Sequence, residues 1–100
     1  MDHRCAYVYN TVKRIPLGKV SSYGTIAKLC GIKNSRLVGK ILHSNPDPKH
    51  IPCHRVVRSD GRVAAGYALG GKTMQGKKLR EEGVDIQNGI IDLSRFGMKF

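Results

Sequence analysis

The sequence predicts a mainly α-helical domain with short β elements, organised around a helix-turn-helix. Three observations support this fold class: apolar residues recur with helical spacing in the first half, a glycine-containing turn separates two short helical segments, and short apolar runs bounded by Gly, Pro and Asn fill the second half. The 100 residues, 40% of them hydrophobic, are enough for one domain and too few for two. We therefore expect residues 1–100 to form a single domain.

The first predicted helix covers residues 5–12. Its apolar side chains fall at i, i+3, i+4 and i+7, which is one helical face: Cys5, Val8, Tyr9 and Val12. Pro16 and Gly18 end this helix. Residues 19–21 are predicted to be a short connector to the second helix.

The second and third predicted helices form the helix-turn-helix. Ser22 caps the second helix and Gly31 stops it. Its expected inward face consists of Tyr23, Ile26, Ala27, Leu29 and Cys30. Asn34 or Ser35 caps the third helix, whose apolar residues are Leu37, Val38, Ile41 and Leu42. Two short helices joined by a tight turn are typical of DNA-binding motifs, although any corner between two helices gives the same pattern.

The second half of the chain is predicted to be less regular. Two prolines exclude a helix over residues 45–48. Residues 51–57 are an apolar, strand-like run, residues 59–61 form a turn, and residues 63–71 form a glycine-rich loop. A last helix opens at Lys72 or Thr73, contains Gly76 and ends at residues 81–83. The tail, residues 84–100, alternates around the hairpin turn Asn88-Gly89 and docks on the core.

Charge and composition indicate which partners the protein binds and in which cellular compartment it occurs. The net charge is +11 at pH 7, which on so small a domain attracts polyanions, nucleic acid first and anionic membrane second. No apolar run could span a membrane and no signal sequence follows Met1, so we expect an intracellular, cytoplasmic protein, nucleoid-associated if its source is prokaryotic. The cysteines suit no disulfide framework and the histidines lack metal-ligand spacing, so we expect neither a metal nor a cofactor.

Chemistry is most expected at residues 52–55, where Cys53 stands beside His54. A thiol is nucleophilic as the thiolate, so it needs a neighbouring base or positive charge, which His54 and Arg55 offer. Adjacent strand residues point to opposite faces, so we expect a water molecule to relay the proton between the two side chains. Spacing alone leaves a nucleophile and a buried structural cysteine equally open.

Several segments together resemble the O6-alkylguanine-DNA alkyltransferases, the methylated-DNA–protein-cysteine methyltransferase family. The heptad Ile-Pro-Cys-His-Arg-Val-Val at residues 51–57 resembles their active-site motif, and residues 18–24 resemble the segment entering the helix-turn-helix. Residues 35–39 resemble the recognition-helix motif, usually Arg-Ala-Val-Gly, with Leu37 in place of the smaller Ala. Further matches are Asn45-Pro46, Gly66-Tyr67, Gly70-Gly71, Leu79 and Glu82-Gly83. The resemblance covers about residues 3–86.

The resemblance implies a winged-helix-like domain that binds duplex DNA, presents its recognition helix to the minor groove and flips O6-alkylguanine out of the stack. Cys53 would accept the alkyl group in one irreversible step, and His54, acting through water and backed by Glu82, would take the thiol proton. Tyr23 would press on the neighbouring phosphate and protonate the leaving guanine, and Asn45 would shape the site.

The resemblance also assigns the surrounding contacts. Arg36 would fill the gap left by the flipped nucleotide. The other implied DNA contacts are Tyr23, Ser35, Leu37, Gly39 and Lys40. The implied substrate pocket consists of Pro52, Arg55, Val56, Tyr67, Gly70 and Gly71. Lys13, Arg14 and residues 77–80 would supply a general field that attracts phosphates.

Two features of the sequence bear on whether it resembles the methyltransferases of this family or its alkyltransferase-like proteins. Full-length members carry an N-terminal domain for which this chain has no room. Single-domain alkyltransferase-like proteins replace the acceptor Cys by Trp or Ala, bind alkylated DNA without repairing it, and hand the lesion to nucleotide excision repair proteins. Cys53 favours a single-turnover methyltransferase that acts as a monomer, whereas the short chain favours the lesion sensor as the alternative. A sequence-specific helix-turn-helix regulator is a third interpretation, and it leaves Cys53 and His54 unexplained.

Overall fold

The computed structural model describes residues 3–63 and 71–98. Its elements run in the order α1 (His3–Lys13), β1 (Ser21–Ser22), α2 (Tyr23–Leu29), α3 (Ser35–His43), a one-turn 3₁₀ helix (Cys53–Arg55), β2 (Val56–Val57), α4 (Gly71–Glu81) and α5 (Leu93–Phe96). The 3₁₀ helix is named the Cys53 turn. In the described ranges, helices dominate and one two-stranded sheet accompanies them, as the sequence predicts. None of these helices is long and apolar enough to cross a membrane.

The helix-turn-helix is α2 and α3, held by the predicted caps. The Ser22 hydroxyl accepts the Thr25 amide at 3.1 Å, and the Asn34 side chain accepts the Arg36 amide at 2.9 Å. Gly31 follows α2 with φ +68°, a conformation that suits glycine after a helix. The prediction that Leu29 faces inward is wrong, because it lies about 200° around the helix from buried Ala27 and is 49% exposed.

The sheet joins two distant segments in parallel, with Ser21 opposite Val56 and Ser22 opposite Val57. Residues 19–21, predicted as a connector, therefore end in a strand. The strand predicted over residues 51–57 shrinks to β2, because the backbone bonds locally before it. Pro52 has φ −78° and ψ 69° and the Cys53 amide donates to the Ile51 carbonyl at 2.8 Å, which is an inverse γ-turn.

The core consists of two clusters, one on each side of β2. The larger cluster gathers apolar residues of α1, α2 and α3 together with Cys53 and Val56. The smaller cluster gathers Val20, Val57, Leu79, Val84, Ile86, Ile91 and Phe96. Because successive strand residues point to opposite faces, Val56 enters one cluster and Val57 the other. The two-residue strand thus fixes the segment that carries Cys53 between both halves of the core.

The C-terminal segment docks on the core, as expected. Asn88 and Gly89 both have positive φ, 54° and 75°, and form the predicted hairpin turn. The alternation predicted after this turn is wrong, because Asp92 caps the short helix α5 through the Ser94 amide at 3.0 Å. Backbone bonds from Val20 to Phe96 and from Met98 to Val20 fasten the end of the chain beside β1. Of the predicted glycine-rich loop, residues 64–70 lie outside the described ranges, and Gly71 begins α4.

Candidate active site

Cys53 is held at the start of its 3₁₀ turn by the residue before it. Proline has φ restricted to near −65°, which suits the centre of the inverse γ-turn at Pro52. The Arg55 amide then donates to the Pro52 carbonyl at 2.9 Å and closes the turn. The Cys53 thiol is free and the residue is 5% exposed. The strand geometry used to argue that Cys53 and His54 face opposite sides therefore does not apply here.

His54, Arg55 and Glu82 form one hydrogen-bonded network. The His54 Nε2 atom lies 2.9 Å from Glu82 Oε2. Arg55 donates from Nε to Glu82 Oε1 and from Nη2 to Glu82 Oε2, both at 2.9 Å, and from Nη1 to the Ile15 carbonyl at 2.8 Å. The guanidinium thus forms a bidentate pair with the carboxylate, and each of the three side chains is 15% exposed or less.

The network sets the charge states of His54 and Glu82. Burial is the largest influence on the pKa of His54 and lowers it. Together with the charges of Arg55 and Lys78, burial outweighs the hydrogen bond and the charge of Glu82, which raise that pKa. Burial alone would raise the pKa of Glu82, but hydrogen bonds from Arg55 and His54, together with their charges, lower it below its ordinary value. At neutral pH the pair is therefore a neutral imidazole beside a carboxylate. A carboxylate only accepts hydrogen bonds, so Nε2 carries the proton and Nδ1 is the basic nitrogen of His54.

Tyr23, the first residue of α2, lies beside residues 52–56, which carry Cys53 and His54 and are called the reactive segment. Burial, and after it the charge of Cys53, raises the pKa of Tyr23 to about 12. The Tyr23 phenol is thus protonated at neutral pH. On α3, a Cβ placed on Gly39 would come 3.9 Å from Tyr23 Cε1, so the Tyr23 ring lies against α3 at this position.

Asn45 connects the end of α3 to the segment before Cys53. Its Nδ2 donates to the Ile51 carbonyl at 2.9 Å, and its Oδ1 accepts the Asp47 amide at 2.9 Å. The Ile51 carbonyl also accepts the Cys53 amide. One side chain therefore spans from the helix-turn-helix to the backbone that positions the thiol.

The outer face of α3 presents the residues predicted to contact DNA. Ser35, Arg36 and Lys40 are exposed, whereas Leu37 and Gly39 are half-buried. Arg36 and Lys40 are four residues apart, so both cations lie on one side of the helix. Val38, Ile41 and Leu42 face the core from the opposite side. The exposed side is a positively charged surface suited to phosphates.

The residues predicted to form the substrate pocket differ in how far the structure describes them and in whether their side chains are exposed. Pro52 and Val56 are buried, and the Arg55 guanidinium is occupied by Glu82 and the Ile15 carbonyl. Tyr67 and Gly70 lie outside the described residues, and Gly71 contributes only the start of α4. Among the described residues, no group of three His, Cys, Asp or Glu side chains could hold a metal ion.

Sequence reasoning missed Gln75. This fully buried side chain of α4 donates from Nε2 to the His54 carbonyl at 2.9 Å and to the Val56 carbonyl at 2.8 Å. The signal that could have found it is spacing, because Gln75, Leu79 and Glu82 fall at i, i+4 and i+7 on one helical face. A polar residue on a face that carries Leu79 and Glu82 indicates a buried amide with partners.

Comparison with known proteins identifies the family. The sequence profile described as "6-O-methylguanine DNA methyltransferase, DNA binding domain" matches residues 5–84. The chain belongs to this family. Among relatives of this alkyltransferase-family domain, the bifunctional methyltransferase/endonuclease of Picrophilus torridus is 40% identical over 92 residues, which are 91% of this chain and 30% of that protein. Alkyltransferase-like protein 1 of Schizosaccharomyces pombe is 41% identical over 88 residues, 86% of this chain and 81% of that protein.

A solved structure shows the same fold. S. pombe Atl1 in complex with damaged DNA containing O6-carboxymethylguanine superimposes with a TM-score of 0.88 and 34% identity, covering 100% of this chain and 98% of that one. The predicted family resemblance and the winged-helix-like fold class are thereby confirmed. The alkyltransferase-family domain spans less than a third of the bifunctional relative and nearly all of Atl1.

Proposed function

We propose that this alkyltransferase-family domain binds duplex DNA containing O6-alkylguanine and transfers the alkyl group irreversibly to Cys53, so that each molecule acts once. The observation that supports this most directly is the occurrence together of buried Cys53 with the half-buried pair His54 and Glu82, in which His54 Nε2 lies 2.9 Å from the Glu82 carboxylate. A neutral imidazole oriented by a carboxylate is the arrangement that activates a neighbouring nucleophile. A merely structural cysteine needs no such pair.

In the proposed reaction, the Cys53 sulfur bonds to the alkyl carbon as the bond from that carbon to guanine O6 breaks. The thiol proton passes through water to His54 Nδ1, and the Glu82 carboxylate stabilises the resulting imidazolium. Tyr23, protonated at neutral pH, donates a proton to the leaving guanine and is reprotonated by the proton held on His54. The products are a thioether and unmodified guanine, so the proton count closes without a further reactant.

The partner in this proposal is duplex DNA, bound by a single copy of the domain. The exposed cations of α3 and the net charge of +11 supply attraction to phosphates without sequence preference. A stacked base cannot reach a thiol that is 5% exposed, so the alkylated nucleotide must be flipped into the site. In this proposal Arg36 fills the position in the duplex that the flipped nucleotide leaves. Asn45 holds the backbone before Cys53, so that the thiol faces the flipped base.

The superposition on Atl1 with O6-carboxymethylguanine DNA favours a second candidate function. In this alternative the domain recognises the lesion without transfer and recruits nucleotide excision repair proteins. Both functions use the same DNA surface and the same flipped base. At the lesion itself they differ in whether a carbon–sulfur bond forms at Cys53.

The deciding experiment weighs the intact protein after incubation with an O6-methylguanine duplex. Transfer predicts a gain of about 14 Da, one methylene, in the native protein and in Cys30→Ala, which removes a different free thiol. Cys53→Ala is expected to lose the gain while still preferring the lesion-bearing duplex over a plain one. Unchanged native mass with retained lesion preference supports the sensor, and equal binding of both duplexes contradicts both functions.

A further inference from the structure

Gln75 connects α4 to the backbone of residues 54–56 through two hydrogen bonds. Its side chain is fully buried, and its Nε2 donates to the carbonyls of His54 and Val56, which flank Arg55. An amide nitrogen has two N–H groups, and these two bonds use both of them. The Gln75 amide, on α4, therefore binds the backbone on both sides of Arg55.

The His54 carbonyl needs this support because of local geometry. The Cys53 turn has only three residues, and β2 begins immediately after it, so the helical bond that would satisfy the His54 carbonyl is not formed. A buried carbonyl without a partner is strongly disfavoured. Gln75 supplies a donor to the carbonyl of His54, the middle residue of the turn, and to the carbonyl of Val56 in the strand that follows.

Gln75 and Glu82 act from the same face of one helix. They are separated by seven residues, which is two turns and about 10 Å along the axis, with the fully buried Leu79 between them. The Glu82 amide still donates to the Lys78 carbonyl at 3.2 Å, so Glu82 continues the helical turn. The helix thus contacts the reactive segment at two points: Gln75 binds its backbone, and Glu82 binds the side chains of His54 and Arg55.

We propose that Gln75 is a positioning residue, which fixes the backbone at His54 and Val56 so that the imidazole meets the Glu82 carboxylate at hydrogen-bonding distance. This inference rests on the proposed function for its effect on alkyl transfer. Its structural content, the coupling between His54 and Glu82, can be measured whether or not transfer occurs.

The test compares Gln75→Met with Lys77→Met. Methionine keeps the length of glutamine and removes both donors, and Lys77 is an exposed residue of the same helix, so its replacement controls for composition. The pKa of His54 is followed by NMR of the imidazole, identified by the signal that His54→Asn lacks. Each background is measured with Glu82 and with Glu82→Gln.

Glu82 raises the pKa of His54, so Glu82→Gln is expected to lower that pKa in the native and Lys77→Met backgrounds. In Gln75→Met the same change should shift the His54 pKa much less, because the imidazole no longer meets the carboxylate. An equal shift in all three backgrounds overturns the proposal. Loss of packing alone would change the unfolding midpoint without uncoupling the two groups.

Alkyl transfer provides the second readout. If the native protein transfers methyl, Gln75→Met should be slower by at least about tenfold, since small misplacements of a catalytic group are costly. Gln87→Met, the same replacement at an exposed glutamine outside the site, should leave the rate unchanged. If the native protein gains no mass, only the proposed function is contradicted. The effect of Glu82→Gln on the His54 pKa still decides the role of Gln75. Should Gln75→Met fail to fold, Gln75→Lys retains a long donor side chain, and an uncoupled His54–Glu82 pair in that folded variant contradicts the proposal.

Discussion

Replacing Arg55 with methionine should destabilise the domain by about 3 kcal/mol. The guanidinium makes two bonds of 2.9 Å to Glu82 and one of 2.8 Å to the Ile15 carbonyl. The side chains of Arg55 and Glu82 are each 15% exposed, so the pair is mostly buried and the small value of a surface salt bridge does not apply. Breaking a buried pair costs about 3–5 kcal/mol because one charge is left uncompensated. His54 still binds Glu82, which favours the lower end of that range.

The assay is denaturant unfolding at neutral pH, with Arg58→Met as the matched control. Arg58 follows β2 directly and is exposed, so its replacement should change the unfolding free energy by less than about 0.5 kcal/mol. A domain with about 5–15 kcal/mol of stability remains folded after either change.

Adding Glu82→Gln to Arg55→Met removes the uncompensated charge. The double variant should therefore lose less free energy than the sum of the two single changes. Equal stability of Arg55→Met and Arg58→Met, or strict additivity with Glu82→Gln, would refute the assignment of a buried ion pair at this position.

Three further predictions follow from the same geometry. Acid should destabilise the domain in two windows, because the folded pKa values of His54 and Glu82 are both lowered: the contribution of each group is complete above its ordinary value, 6.5 or 4.5, and is lost as the pH falls through its folded value. In pH-dependent unfolding, Glu82→Gln should remove the Glu82 part of the lower window and leave the part due to Asp92, whose pKa is also lowered. Asn45→Ala should cost about 1–2 kcal/mol in denaturant unfolding, because it removes two hydrogen bonds and leaves the buried Ile51 carbonyl with fewer donors; no change would contradict the bridging role. Gly61→Ala should cost at least about 2 kcal/mol, because Gly61 has φ +87° and a Cβ there would collide with the Ile91 carbonyl; an unaltered melting temperature would contradict this.

The elements that the sequence predicts correctly depend on neighbours within a few residues. The caps at Ser22 and Asn34 and the turn at Asn88-Gly89 rest on one side chain or one backbone preference each. The last helix ends where Gly83, with φ +88°, follows it. Local chemistry of this kind can be inferred from the order of residues.

The features that the sequence does not predict depend on contacts between distant segments, or on competition between two backbone conformations that the same residues could adopt. Strand β1 exists because Ser21 and Ser22 meet a partner far along the chain. The 3₁₀ geometry at Cys53 competes with a strand of the same apolar residues, and the γ-turn at Pro52 decides between them. The family resemblance predicts the residues of the candidate site, whereas no sequence pattern indicates that Arg55 pairs with Glu82 or that Gln75 donates to the carbonyls of His54 and Val56.

The parallel pairing of Ser21 with Val56 also orders the events of folding. The pair joins residues roughly 35 positions apart, and the loop it closes contains the whole helix-turn-helix. Helices α2 and α3 are adjacent in sequence, so their contacts form at low entropic cost, whereas the two-residue ladder must wait for loop closure. We therefore expect a chain that forms helices α2 and α3 first and buries the Cys53 thiol last.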